Sequence, residues 1–292
     1  MAENYQVRPA LATDKQEIAN LMFFERHVHQ HLDWKHPTDW LGSPFYWVLE
    51  RNSRIMAVLA CPQEKKESTW LRLFTHSESF PTEEAWEVLW EKAKGDLEKN
   101  GKVKVSAITV QSWMQALLKE SGFVNEEEIL MMAWEGKKKP EWPDLQDVIL
   151  REMKKTDLPE VVEVDTNAFM PIWQNPLPIL EEVYAKAVSA TVAETADGIV
   201  GYQISTYSPF GAHLARLAVR SEMQRKGIAS LLISDLIGKL LTKKIARLSV
   251  NTQSKNERSL ALYMKNGFEF TEEKYPLYSF EIAGIGREKE LK

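Results

Sequence analysis

The sequence predicts a tandem α+β protein, two mixed sheets flanked by helices and joined by a short linker. Three observations carry this expectation. Residues 134–147 hold Gly136, Pro140, Pro143 and the run Lys137, Lys138, Lys139, the composition of a connection between packed units. On either side of it, strand-like and helix-like stretches recur in the same order. Near the end of each half, Ala116-Leu117-Leu118-Lys119-Glu120-Ser121-Gly122-Phe123 lines up with Ala261-Leu262-Tyr263-Met264-Lys265-Asn266-Gly267-Phe268. A match in matching context points to duplication of a whole domain. The expected boundaries are 1–135 for the first domain, 136–146 for the linker and 147–292 for the second.

Taken in order, residues 5–9 read as a strand leading to a helix near Thr13, with Gln16 spaced for a capping box. Strands are expected at 46–50, 55–61 and 69–75, then an amphipathic helix at 83–98, a buried strand at 103–110 and a short helix ending in Gly122-Phe123. The second half repeats this. A strand at 148–153 leads to a helix near Asp157, and strands follow at 190–194, 199–207 and 213–219. A helix over 227–241 places Ile228, Leu231, Leu232, Leu236 and Leu240 on one stripe. A strand at 245–250 and a helix ending in Gly267-Phe268 complete the half.

A length of 292 residues suits two domains, and 44% apolar residues supply both cores. The net charge is −5 and no long face concentrates Lys and Arg, which argues against nucleic acid as a partner. Cys61 is the one cysteine, so no disulfide can form within the chain, and a small core residue is its expected role. No signal peptide or membrane-length apolar run is visible, and the expected location is the cytoplasm.

The chemistry concentrates in residues 213–230. A strand ending in Leu217-Ala218-Val219 feeds the turn Gln224-Arg225-Lys226-Gly227, which opens the helix carrying Ile228, Ala229 and Ser230. A helix N-terminus offers unpaired N–H groups and the positive end of the dipole, a good phosphate site. Gly227 permits close approach, and Arg225 and Lys226 add charge. The spacing is neither a Walker sequence nor a dinucleotide fingerprint.

That loop resembles the pyrophosphate loop of the GNAT acetyltransferase superfamily, Gln/Arg-x-x-Gly-x-Gly/Ala. A second stretch, Asn251, then Asn256-Glu257-Arg258-Ser259-Leu260-Ala261-Leu262-Tyr263, then Asn266-Gly267-Phe268, resembles the family's later motif. The likeness covers 148–282 well and the first half in outline. It implies for each half a mixed, mainly antiparallel sheet flanked by helices, and for the second half acetyl-CoA as co-substrate with no metal. Residues 225–230 would hold the pyrophosphate, with Gln224 in the motif. Leu217, Ala218 and Val219 would pair with pantetheine, Asn256 and Ser259 would touch the cofactor arm, and Tyr263 would protonate the leaving thiolate.

The reaction implied is direct acetyl transfer to a primary amine, a small molecule or a peptide N-terminus, in a ternary complex. An amine attacks only as a free base, so a proton acceptor is needed. His213, alone of its type in this half, suits neutral pH, and a water chain is the other option. The acceptor pocket is expected from the loop after the first helix and from late strands, with Phe169, Trp173, Tyr207 and Tyr278 as its aromatic lining. A non-catalytic acyl-CoA sensor or scaffold is the alternative, as is a GNAT fold with another acyl donor or an oxygen acceptor.

The first half lacks the chemical groups. Its counterpart of the loop is Ser79-Phe80-Pro81-Thr82-Glu83-Glu84, with no glycine and two carboxylates that repel a pyrophosphate. Leu118 stands where Tyr263 does, so this half reads as a degenerate copy. His27, His29, His31 and His36, with Asp33, complete no metal-ligand pattern and read as a histidine-rich helix end or loop.

Overall fold

The computed structural model describes residues 5–32, 34–63, 66–136 and 142–284. The chain divides into two compact units, Met1–Glu127 with Tyr275–Lys292, and Glu128–Lys274. The division therefore does not run at 135 and 147. Each unit needs a strand from the far side of the expected boundary to complete its sheet. Residues 137–141 of the expected linker, including the lysine run, lie outside the described residues, as does Asp33.

The first unit contains β1 (Tyr5–Pro9), α1 (Lys15–Phe24), β2 (Val28–Gln30), β3 (Tyr46–Arg51), β4 (Arg54–Ala60), β5 (Ser68–Trp70), β6 (Leu73–His76), α2 (Thr82–Glu98), β7 (Val103–Ile108) and α3 (Ser112–Glu120). One sheet has the order β1-β3-β4-β6-β2. Separately, β5 runs parallel to β7, and β7 pairs antiparallel with residues 277–282 near the chain's end. Helix α2 buries Trp86, Leu89, Trp90, Ala93 and Leu97, one face at helical spacing, against that core.

The second unit uses residues 129–134 of β8 (Val124–Trp134), then β9 (Ile149–Glu152), α4 (Leu158–Ala168), α5 (Leu177–Ala185), β10 (Ala187–Thr195), β11 (Gly198–Ser208), β12 (Gly211–Val219), α6 (Ile228–Thr242), β13 (Leu248–Gln253) and α7 (Glu257–Lys265). The order is β8-β13-β12-β11-β10-β9, with β12 and β13 parallel and the other pairs antiparallel. Helix α6 buries Leu231, Leu232, Leu236 and Leu240 as its stripe requires.

Matching ion clusters mark the duplication more clearly than the sequence does. Arg8 Nη1 meets Asp14 at 2.7 Å and its Nε meets Glu50 at 2.8 Å; Arg151 meets Asp157 and Glu194 through the same atoms, both at 2.7 Å. The Ile55 N–H donates to Glu17 and the Ile199 N–H to Glu160, both at 2.7 Å. These pairs fix an alignment in which residue 55 answers 199.

Some expectations need correction. Asp14, not Gln16, closes the turn before α1 by accepting the Leu11 N–H at 2.7 Å, while Gln16 bonds Asn20. The strand expected at 69–75 breaks at Leu71 and Arg72, which turn from β7 toward β4. The strand expected at 245–250 begins at Leu248, because Ile245 still closes the turn after α6 by donating to Leu240. The histidine-rich stretch holds β2, whose register sets His29 opposite Phe74.

His29 is buried, and burial lowers its pKa to about 4, its bond with the Leu71 carbonyl acting the other way. The folded ring is neutral, so the unfolded chain binds the extra proton. This contribution is complete above pH 6.5 and is lost as pH falls, by about 3 kcal/mol at pH 4. Denaturant titrations across that window are expected to show a shallower pH dependence in His29→Gln; identical slopes would remove the assignment.

Candidate functional site

The loop expected to bind phosphate is built by its own backbone. After β12 a short 3-10 turn, Ser221–Met223, is followed by two left-handed residues, Arg225 at φ 65° and Gly227 at φ 92°. Gly227 is the N-cap of α6 and supplies no side-chain cap. The first N–H groups of α6, on Ile228, Ala229 and Ser230, have no acceptor inside the helix. Gln224 is committed to the loop, its Nε2 donating to the Val219 carbonyl at 3.1 Å. Ile228 is buried against Val219 and Leu232, which seats the helix start on the sheet. The Ser230 hydroxyl accepts from Asn266 Nδ2 at 3.1 Å, linking the two sequence motifs.

Strand β12 is paired along the whole of one edge and along part of the other. It pairs with β11 from Gly211 to Val219, with a bulge at Ala215. With β13 it pairs only at Ala212↔Leu248 and His213↔Ser249. Beyond that point β13 continues along β8, from Leu248 to Gln253. Among the described residues, the β13-facing edge of β12 from Leu214 to Val219 has no strand partner. Leu217, Ala218 and Val219 lie on that stretch.

The first unit fills the equivalent edge itself. Strand β5 pairs parallel with β7 as β12 does with β13, and the chain then leaves to form β6. There β2 occupies the edge, with Val28↔Thr75, His29↔Phe74 and Gln30↔Leu73. Helix α2 begins at Thr82 with Glu83 and Glu84 in its first turn, and Leu118 is buried in the core.

Tyr263, on α7, is 6% exposed and packs against Phe268 at 5.5 Å between ring centres. Burial pushes its phenol up, with the Arg216 charge acting in the opposite sense, so the hydroxyl is protonated at neutral pH. His213 Nδ1 lies 3.0 Å from Ser249 Oγ, which donates to the Ala212 carbonyl at 3.3 Å. That chain places the proton on Nδ1 and leaves Nε2 as an acceptor. Burial lowers the His213 pKa below 6.5, so the ring is neutral at neutral pH. Asn256 caps α7, accepting the Ser259 N–H at 3.2 Å, so its Oδ1 is already committed.

The aromatic residues separate. Phe169 and Trp173 lie on the segment between α4 and α5, beside Arg216 of β12. The Arg216 guanidinium stands 3.6 Å from the Phe169 ring centre and donates to the Trp173 carbonyl at 2.5 Å. Tyr207, at the end of β11, is 68% exposed. Tyr278 belongs to the first unit, buried at 2% in its core and paired with Ala107, and so is withdrawn from the acceptor pocket.

Sequence reasoning missed the most enclosed charges in the second unit. Asp165 of α4 is 0% exposed and accepts from Tyr202 Oη at 2.5 Å, Arg216 Nε at 2.6 Å and, on its other oxygen, Arg216 Nη2 and the Asn175 N–H, both at 2.8 Å. A signal was present: Asp165 shares the helix face of the apolar Val161 and Val164, and Arg216 interrupts Leu214-Ala215-Leu217-Ala218-Val219. Among the described residues, no group of three His, Cys, Asp or Glu is placed to hold a metal ion. Nor is any described helix long and apolar enough to cross a membrane.

Residues 158–268 match the Acetyltransferase (GNAT) family. No curated protein sequence matches the chain. Among solved structures, a GCN5-related N-acetyltransferase from Sphaerobacter thermophilus is similar at 16% identity and TM-score 0.62, over 96% of this chain and 97% of that one. A tandem GNAT protein from the clavulanic acid biosynthesis pathway gives 13% and 0.65, over 97% and 100%. A probable N-acyltransferase from Enterococcus faecalis gives 10% and 0.71, over 96% and 73%. The GNAT family match thus falls within the second unit, in a chain that shares the tandem fold of these proteins.

Proposed function

We propose that the second unit binds acetyl-CoA and transfers its acetyl group directly to a primary amine, with no covalent enzyme intermediate. The observation that carries this is the open edge of β12 running up to the left-handed Gly227 and the uncapped start of α6. A strand edge offers N–H and C=O groups to an amide-bearing arm, and the helix start offers N–H groups to its pyrophosphate. Acetyl-CoA supplies an activated thioester. Residues 225–230 hold the phosphates, and the edge at Leu217, Ala218 and Val219 pairs with the arm. Gln224 and Asn256 act by holding the loop and α7 in place.

Tyr263 keeps its proton at neutral pH and donates it as the thiolate leaves. His213, held through Nδ1, takes the proton of the attacking amine at Nε2. The first unit, its edge filled by β2, holds no acyl-CoA there and acts as a structural companion.

Thiol release from acetyl-CoA across a panel of primary amines tests the reaction. Tyr263→Phe is expected to lower turnover about 100-fold, the scale of general acid catalysis, with little change in acetyl-CoA affinity. The wild-type rate is expected to fall with acid below pH 6.5, where His213 takes up its proton, and His213→Ala to lose that limb. Unchanged turnover in Tyr263→Phe, or an unchanged acid limb in His213→Ala, removes the corresponding role.

A further inference from the structure

The two units act as each other's control. Strand registers align them closely: Val58↔Thr75 and Ala60↔Leu73 in the first unit answer Tyr202↔Ala218 and Ile204↔Arg216 in the second. Tyr202 therefore stands where Val58 does, and Arg216 where Leu73 does. The helices align through Glu17 and Glu160, which accept the Ile55 and Ile199 N–H groups, with α4 one residue longer at its end. Leu21 answers Val164, and Asp165 stands where Met22 does. Val58 and Leu73 are buried in one apolar cluster, and Met22 packs against it. The fold thus closes over three apolar side chains at positions where the second unit buries a carboxylate, a guanidinium and a phenol.

Removing two charges from water is costly, and an apolar trio of similar bulk commonly folds as well or better. Stability alone gives no reason for the polar version. Its contacts give one. Arg216 follows the Ala215 bulge on the strand with the open edge. Through it and Asp165 that strand grips the segment between α4 and α5 at three points: the Phe169 ring, the Trp173 carbonyl and the Asn175 N–H. In the first unit the corresponding segment is not held this way and instead supplies β2.

We infer that Asp165, Arg216 and Tyr202 are positioning residues for the acceptor: they lock the segment 169–175 to β12, so that an amine bound there is set at a fixed distance from the acyl group. This rests on the acyltransferase reading above. Displacements of about 1 Å from productive geometry reduce rates on the order of 100-fold, which is why a rigid tie at this place matters.

The test transplants the first unit's trio into the second, as Asp165→Met, Tyr202→Val and Arg216→Leu together in the full chain. The variant is expected to keep its thermal midpoint and acetyl-CoA affinity. Thiol release with the primary amine that wild type turns over fastest is expected to fall about 100-fold. Amide exchange in 169–175 is expected to quicken about tenfold while β11 and α6 stay protected, as in local opening. Tyr202→Phe, which keeps the bulk and removes one donor, is expected to raise the KM for the amine more than it lowers kcat. Wild-type transfer and unchanged exchange in the triple variant would overturn the inference, as would exchange that quickens throughout the unit. Failure of the wild type to bind acetyl-CoA would instead count against the proposed function, and loop exchange would still decide the positioning role.

Discussion

Replacing Gly227 with glutamate is expected to weaken acetyl-CoA binding by about 100-fold or more, since each hydrogen bond to a charged group contributes roughly 1.5–3 kcal/mol. The change acts in two ways. At φ 92° the backbone is left-handed, where a Cβ costs roughly 1–2 kcal/mol, so the turn relaxes and its N–H groups lose their aim. The new carboxylate also stands where the pyrophosphate must lie. Space is not the obstacle, because a Cβ at Gly227 meets only Pro143 and Leu145, at 3.6 Å and beyond. Gly227→Ala separates the two effects: it carries the strain without the charge and is expected to bind at intermediate strength. Calorimetric titration of the three proteins checks the order, and equal affinities would place the phosphates elsewhere.

The single substitution Arg216→Leu is expected to destabilise the second unit by about 3–5 kcal/mol, the usual effect of removing one partner of a buried pair. Asp165, fully buried, would lose the guanidinium that meets both of its oxygens. At roughly 2–4 °C per kcal/mol, the thermal midpoint should fall by about 10 °C. Adding Asp165→Met and Tyr202→Val should restore the wild-type midpoint. A single variant as stable as wild type would mean that the buried pair does not hold the unit together, and the tie between β12 and 169–175 would need another basis.

Much of this architecture is legible in the sequence because it is local. The stripe on α6, the glycine at its start and the repeated order of strands and helices all follow from side-chain periodicity and backbone freedom. What was hidden depends on partners distant in the chain. Residues 69–75 carry no break signal, yet the strand splits at Leu71 because β7 holds one half and β4 the other. His29 reads as polar but is buried, since β2 has an open edge to join. Tyr278 looked like pocket lining and instead pairs with Ala107 of the first unit. Asp165 and Arg216 could have been flagged as charges inside apolar stretches, but their meeting requires α4 to cross β12. The open edge of β12, which carries the proposed function, is a matter of pairing alone.

The account's central claim is that the chain has one acyl-CoA site, at the open edge of β12, and that β2 closes the other. Counting bound acetyl-CoA by calorimetry tests it most directly. One molecule per chain, lost in Gly227→Glu, is the predicted result. Two molecules per chain, or one that survives Gly227→Glu, would contradict it.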